Sequence, residues 1–309
     1  MGWQPPTVDD LRERLGATLF RRVAGPSGAR TRARVHGAPG PRWFGPDRPI
    51  RAVHGDASMF VGGLTALLLQ SLHPLAMAAV SAHSGFRGDP WGRLHRTSAF
   101  LAVTTFGADE DARHAVERVR AVHERVSGTT PDGVPYHASD PHLLCWVHVA
   151  EVDSFLRAHR TYGAAPLDDA GYDGYVADTA RIARELGVPD PPRSLAELAE
   201  RMDAYRAELR ATPDSRETAR FLLLRPPIPW QARPPYALLA AASVELLPPW
   251  AREPLGLPRL PGPVWDGARV GGRLVTGSIR WAMAPRPRTY DEGEAVTLPR
   301  ARPGGSSRR

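Results

Sequence analysis

Five polar side chains in the first half of the chain have the types and spacing of a functional site. The sequence also concentrates histidine there, because ten of its eleven histidines lie in residues 54–159. Residues 57–86, just before the first of the five, contain no Arg, Lys, Asp or Glu. A long uncharged segment that leads into a polar cluster is typical of the wall and mouth of a buried site. The five residues are Arg93, Arg96, Thr97, His123 and His148.

Arg93, Arg96 and Thr97 stand at positions i, i+3 and i+4, so a helix places them on one face. A buried guanidinium needs an anionic or strongly accepting partner. A protein partner would be Asp89 or Glu151, in a structural ion pair. A functional partner would be the carboxylate of a substrate or cofactor, such as a haem propionate, which arginine binds through two parallel hydrogen bonds. Two arginines on one face with few acidic residues nearby favour the functional partner.

His123 lies on the valine-rich face of a helix predicted over residues 107–128, together with Val116, Val119 and Val126. This spacing points His123 towards the core and His114, on another face, towards water. A core histidine can simply donate to a backbone carbonyl. A neutral imidazole that faces an apolar cavity is also typical of an axial haem ligand. The helix pattern leaves both interpretations open.

His148 and Glu151 are one helical turn apart in a strongly apolar segment. A glutamate at this spacing could orient the histidine or bind a metal. A carboxylate-bridged di-iron site is not favoured, because Glu-x-x-His is not repeated on facing helices. Zinc sites of the His-Glu-x-x-His or paired-cysteine type and serine hydrolases of the Gly-x-Ser-x-Gly type also lack their motifs. The one cysteine, Cys145, lies in an apolar run and is predicted to be a buried packing thiol.

Hydrophobic periodicity predicts an all-α protein with one main helical domain. Pro74 is predicted to bend or restart the long apolar helix that begins near residue 58. We expect an N-terminal helix and an irregular basic arm over residues 1–49, in which Trp43 and Phe44 dock on the body, a main helical domain over 50–284, and a disordered tail over 285–309. No strand pair is predicted. The helices are expected near residues 7–24, 90–105, 107–128, 140–162, 170–187, 194–211, 214–224, 234–247 and 262–283.

The net charge of +7 is unevenly distributed, since residues 1–53 carry ten arginines against four acidic residues. No aromatic-flanked arginine cluster or known motif accompanies this excess, so we expect no nucleic-acid partner. The N-terminal residues contain no apolar signal region, which predicts a cytoplasmic protein. Gly, Gln, Ser and Pro interrupt residues 57–86, so a stable membrane span is not expected, although peripheral membrane contact remains possible.

The order of short motifs along the chain resembles the catalytic domain of the MpaB-type and latex-clearing rubber oxygenases. The resemblance covers about residues 50–250, and most of its specificity lies in residues 54–162. No single motif is diagnostic, but the ordered set is specific. The motifs are Gly55-Asp56, His73-Pro74, His83-Ser84, Arg93-Leu94-His95-Arg96-Thr97, Phe106-Gly107, Val122-His123, Gly133, Tyr136, Asp140-Pro141, Trp146-Val147-His148 and Asp153-Ser154.

This resemblance implies an all-helical domain that encloses one b-type haem and oxidises an apolar, isoprenoid-like alkene with dioxygen. His123 falls at the family's proximal ligand of the haem iron. Arg93 and Thr97 fall at polar positions of the distal pocket and the propionate side. We count His148 with the cofactor-binding residues, and Arg93, Arg96 and Thr97 as candidate catalytic residues.

Two departures from the rubber-cleaving members stand out within the motif region. Arg96 occupies a position where those members carry a lysine that can approach the iron, and a guanidinium is effectively never deprotonated. The helix before the arginine motif also lacks their catalytic glutamate. With Arg96 in place of the lysine, the distal site is expected to be open or water-bound. The missing glutamate and the absence of a signal sequence favour a small lipophilic substrate over a polymer. The alternatives are a haem protein without oxygenase activity, such as a sensor or peroxidase-like protein, and a helical interaction module without haem.

Overall fold

The fold is known from a computed structural model, which describes residues 7–83, 89–258 and 261–284. Within these residues the chain forms fourteen α-helices, one 3₁₀-helix over Trp230–Ala232 and two short strands. The helices are α1 (Val8–Ala24), α2 (Gly28–Gly37), α3 (Pro49–His54), α4 (Met59–Gln70), α5 (Pro74–His83), α6 (Pro90–Phe106), α7 (Asp109–His123), α8 (Pro141–Tyr162), α9 (Asp169–Leu186), α10 (Leu195–Tyr205), α11 (Pro213–Leu224), α12 (Arg233–Leu246), α13 (Pro249–Arg252) and α14 (Gly262–Met283). The predicted all-α class is confirmed.

Local capping signals explain where several helices begin. The Thr7 side chain accepts from the backbone N–H of Asp10, whose carboxylate accepts from Thr7 N in turn, so a capping box starts α1. The Asp140 carboxylate accepts from His142 N, and Pro141 occupies the first position of α8. These signals are visible in the sequence, and they place the predicted starts of both helices correctly.

A short antiparallel hairpin corrects the prediction that the chain has no strand pair. Strand β1 (Ser127–Thr129) pairs with β2 (Pro135–His137), so that Gly128 lies opposite Tyr136. Gly133, with φ of 83°, supplies the left-handed residue of the turn that joins them. Each strand has three residues, which is too few for a period-two pattern to show in the sequence. The hairpin follows α7 and separates it from α8.

The segment before residue 50 is more regular than the sequence analysis predicts, because residues 28–37 form α2. The docking of Trp43 and Phe44 is confirmed, since both side chains are buried. The indole Nε1 of Trp43 donates to Asp109 Oδ1 over 2.6 Å, at the first turn of α7. The predicted tail of residues 285–309 lies outside the described residues.

The uncharged segment forms α4 and α5, which meet at an angle of 106°. Helix α4 packs against α8 so closely that a Cβ on Gly62 would lie 2.7 Å from Phe155 Cδ1. Leu64 and Leu68 are buried there, so much of α4 belongs to the packed core. Across the described residues, no single helix has the length and apolar character to cross a membrane, although α4 and α5 meet both criteria when taken as one bent pair.

Candidate functional site

His123 is the last residue of α7, where the chain leaves the helix for the hairpin. Asp109, Glu110 and Asp111 in the first turn favour the positive end of this helix. The Nδ1 atom of His123 is buried and has no hydrogen-bond partner. Burial lowers the pKa of His123, so its ring is neutral at pH 7 and keeps a free lone pair. His114, predicted to face water, is exposed.

His148 and Glu151 lie one turn apart on α8. The Nε2 atom of His148 is also buried without a hydrogen-bond partner, and burial lowers the pKa of this ring to about 4. Burial raises the pKa of Glu151 to about 7. Both side chains keep some accessible surface, yet both are strongly desolvated. Both pKa shifts therefore reflect the apolar side chains packed around α8 and not a complete loss of exposed surface.

Helix α6 carries the three residues of the arginine motif, but it exposes them unequally. Arg93 is half-buried, and burial followed by the nearby charge of Arg96 lowers its pKa. Arg96 and Thr97 are exposed. The Nη1 atom of Arg96 lies 3.4 Å from Oδ2 of Asp89, the residue that caps the helix. The predicted structural ion pair is therefore present for Arg96, and Arg93 is the less exposed of the two arginines.

A buried hydrogen-bonded group that the sequence analysis missed lies where α3, α6 and α9 meet. His54 Nδ1 lies 2.8 Å from Thr105 Oγ1, and His54 Nε2 lies 3.2 Å from the hydroxyl of Tyr175. Burial lowers the pKa of His54 to about 3. Burial and the charge of Glu151 raise the pKa of Tyr175, which places Glu151 beside this group. The one available signal was a histidine directly before the Gly55-Asp56 motif.

The structure thus distributes the predicted residues over three helices. Helix α6 packs on α7, and α3 contacts α6, α8 and α9. Among the described residues, no direct interaction joins His123 to His148. These residues offer two neutral imidazoles with buried, unpartnered nitrogens, a carboxyl group that titrates near pH 7 and a desolvated guanidinium. Side chains of these types bind metal ions and anionic groups, and their combination in one site belongs to the proposal below.

Comparison with known proteins identifies the family of this chain. A family model described as the catalytic domain of the ER-bound oxygenase mpaB/B′ and rubber oxygenase matches residues 51–281. The match covers most of the chain and every residue of the candidate site. The chain belongs to this family.

Two uncharacterised proteins, from Mycobacterium bovis and Mycobacterium tuberculosis, are similar to part of this chain. Each is 34% identical to the chain over 111 residues. The matches cover 35% of the chain and 43% of each relative, so the chain spans less than half the length of these proteins. No solved structure matches the chain significantly.

The residues present fit the haem that the mpaB/rubber oxygenase resemblance implies. A histidine that binds haem iron must be neutral and have an available lone pair, and His123 meets this requirement through its lowered pKa and unpartnered Nδ1. Arg93 is a desolvated cation suited to a propionate. No carboxylate of α4 could compete with these groups, because the helix contains none. Family membership supports an oxygenase role, and the haem itself belongs to the proposal below.

Replacing Glu151 by glutamine is expected to remove a pH-dependent cost to folding. Folding raises the pKa of Glu151 to about 7, because burial disfavours the carboxylate. The cost of burying the carboxylate is therefore absent below the unfolded pKa, grows as the pH rises between the two pKa values, and is complete above about 7. We expect Glu151→Gln, without cofactor, to be about 2 kcal/mol more stable than the wild type at pH 8, and to gain little at pH 5. Urea unfolding at both pH values measures the difference. The exposed Glu117→Gln serves as the control, and equal pH dependence of the Glu151 variant and wild type would contradict the enclosed position of Glu151.

Proposed function

We propose that this protein is a haem b-dependent oxygenase that acts with dioxygen on a small lipophilic alkene of isoprenoid type. The observation that carries the proposal is His123, a neutral imidazole with a buried, unpartnered Nδ1 inside a domain of an oxygenase family. The proposal keeps a cytoplasmic setting and a small molecule, not nucleic acid, as the partner.

Each site residue has a role in this proposal. His123 would hold the haem iron from the proximal side, and Arg93, with Thr97, would bind a propionate carboxylate by charge-assisted hydrogen bonds. Haem b, when bound, supplies the iron that binds and activates dioxygen. His148 would contact the cofactor from α8. Arg96, which is exposed and paired with Asp89, is assigned to the outer end of the site and not to the iron.

The carboxyl group of Glu151 can hold or release a proton in the proposed site. Its pKa of about 7 keeps the carboxyl group partly protonated at neutral pH, which suits a group that donates and accepts protons during catalysis. Tyr175 and His54 lie beside it as a hydrogen-bonded pair. The apolar surroundings that shift these pKa values would also exclude water and admit a lipophilic substrate. The glutamate on α8 would thus take the place of the carboxylate that α4 lacks.

Isotope labelling tests the proposed reaction. The haem-loaded protein is incubated with a panel of isoprenoid alkenes under ¹⁸O₂, and products are analysed by mass spectrometry. We expect ¹⁸O in an oxidised product from the wild type and from His114→Ala, and none from His123→Ala. A wild type that binds haem but neither consumes dioxygen nor labels any alkene would contradict the oxygenase proposal and favour a haem sensor or peroxidase-like protein.

A further inference from the structure

A second group of ligating side chains lies away from the proposed haem site, at the bend between α4 and α5. His73 occupies the bend, His142 lies in the first turn of α8, and Glu208 follows α10. One ligand atom from each residue can be chosen so that all three lie within 4.8 Å of one another. His142 precedes His148 by about 9 Å along α8 and faces about 120° away from it. The two groups therefore belong to different sites.

His73 is the residue that points to a ligand. Its side chain is 2% exposed, and neither ring nitrogen has a hydrogen-bond partner. Its Nε2 atom is directed towards Oε2 of Glu208 at 3.5 Å, outside the geometry of a hydrogen bond. A buried histidine with no partner on Nδ1, and with only a long ion-pair contact to Glu208 on Nε2, carries a desolvation cost that a metal bond would offset.

His142 and Glu208 complete the donor set at the surface. Nε2 of His142 lies 2.8 Å from Oε2 of Glu208 and 3.0 Å from Oε1. Bond lengths of about 2.1 Å in a tetrahedral zinc site separate the ligand atoms by about 3.4 Å, so only small side-chain shifts are needed to admit an ion. The ion would displace the proton that His142 now shares with Glu208. The carboxylate of Asp140 lies near His73 and adds to the attraction for a cation.

The surroundings hold these ligands in place. The hydroxyl of Tyr205 donates to the backbone carbonyl of His142 over 2.7 Å and lies 3.5 Å from its Nδ1, where it can orient the ring. The backbone N–H of Arg210 donates to the carbonyl of Leu72 over 2.9 Å, which fixes the segment that carries Glu208 against the bend. A ligand set that is already positioned loses little freedom when it binds an ion.

We propose that His73, His142 and Glu208 form a divalent-metal site of the two-histidine, one-carboxylate type, best suited to Zn²⁺ with one position open to water. Imidazole and carboxylate donors in this number suit zinc with three protein ligands. The bound ion joins the α4–α5 bend to the start of α8 and the end of α10. The site uses His73-Pro74 and Asp140-Pro141, two motifs that the haem proposal leaves without a role.

Zinc binding to the purified, chelator-treated full chain tests this inference by isothermal titration and by cobalt absorption. We expect one Zn²⁺ per chain, bands of tetrahedral cobalt in the visible spectrum, and a higher Tm with zinc. His142→Ala and Glu208→Gln should each weaken binding at least about 100-fold, beyond the 10–100-fold typical of outer ligand partners. Both positions are exposed, so the variants should fold.

Two further variants separate this site from other histidines. His114→Ala removes an exposed histidine elsewhere, and His123→Ala removes the proposed haem ligand. Both should keep wild-type zinc affinity, whether or not the haem proposal holds. The absence of saturable zinc binding, equal affinity in His142→Ala and the wild type, or loss of the zinc site in His123→Ala would each overturn the inference.

Discussion

His123→Ala is expected to lose the haem, with an affinity at least about 100-fold below that of the wild type, because a direct ligand contributes more than the outer partners whose loss costs 10–100-fold. The substitution removes a neutral imidazole whose Nδ1 has no protein partner, so it breaks no hydrogen bond of that nitrogen. Haem titration followed by the Soret absorption measures the loss. Added imidazole should restore part of the band, because it can enter the space that the side chain leaves.

Two matched variants decide which histidine holds the iron. His114→Ala, on the exposed face of the same helix, should bind haem like the wild type. His148→Ala should keep a ligated haem with a shifted spectrum, because we assign it to contact with the cofactor and not to the iron. If His148→Ala loses the haem and His123→Ala retains it, the proximal ligand lies on α8 and our assignment is wrong.

Asp56→Ala is expected to lower the free energy of unfolding by about 3 kcal/mol, which is at the lower end of the cost of breaking a buried ion pair. Asp56 accepts from Arg280 through both carboxylate oxygens, each over 3.0 Å, and from the backbone N–H groups of Ser58 and Ala164. The side chain of Arg280 is 34% exposed, and water therefore screens part of this loss. Urea unfolding at pH 7 measures the change.

The same pair predicts a pH dependence. Burial alone would raise the pKa of Asp56, but the hydrogen bonds from Arg280 and the backbone lower it overall. The pair therefore stabilises the fold above the ordinary pKa of aspartate, and this contribution is lost as the pH falls through the lowered value. Asp203→Ala, which removes an exposed pair with Arg206, should change stability by less than about 1 kcal/mol. A similar, small effect of both substitutions would contradict the anchoring role of Asp56.

Much of the fold could be predicted because its signals are local. Asp140 followed by Pro141 fixes the start of α8, and Pro74 fixes the bend after α4, where the structure has an angle of 106°. The hairpin and α2 were not predicted, for two different reasons. The strands are too short for a period to show, and α2 consists largely of Gly, Arg and Ala with little apolar periodicity.

The sequence could suggest candidate site residues but not how the fold arranges them. Spacing placed Arg93, Arg96 and Thr97 on one face, yet it could not show that Arg93 is half-buried while Arg96 is exposed and lies beside Asp89. That difference depends on how α6 packs against neighbouring helices. The hydrogen-bond partners of His54 are also distant in sequence. Thr105 lies 51 positions away and Tyr175 lies 121 positions away, so only the tertiary fold brings them together.

Haem titration of the wild-type chain is the direct test of whether this protein binds haem. The purified protein is freed of cofactor, titrated with haem b, and followed by its optical spectrum and by the haem content after gel filtration. We predict a Soret band that saturates at one haem per chain and remains with the protein. A chain that stays colourless after reconstitution, while still folded by circular dichroism, would contradict the haem oxygenase account.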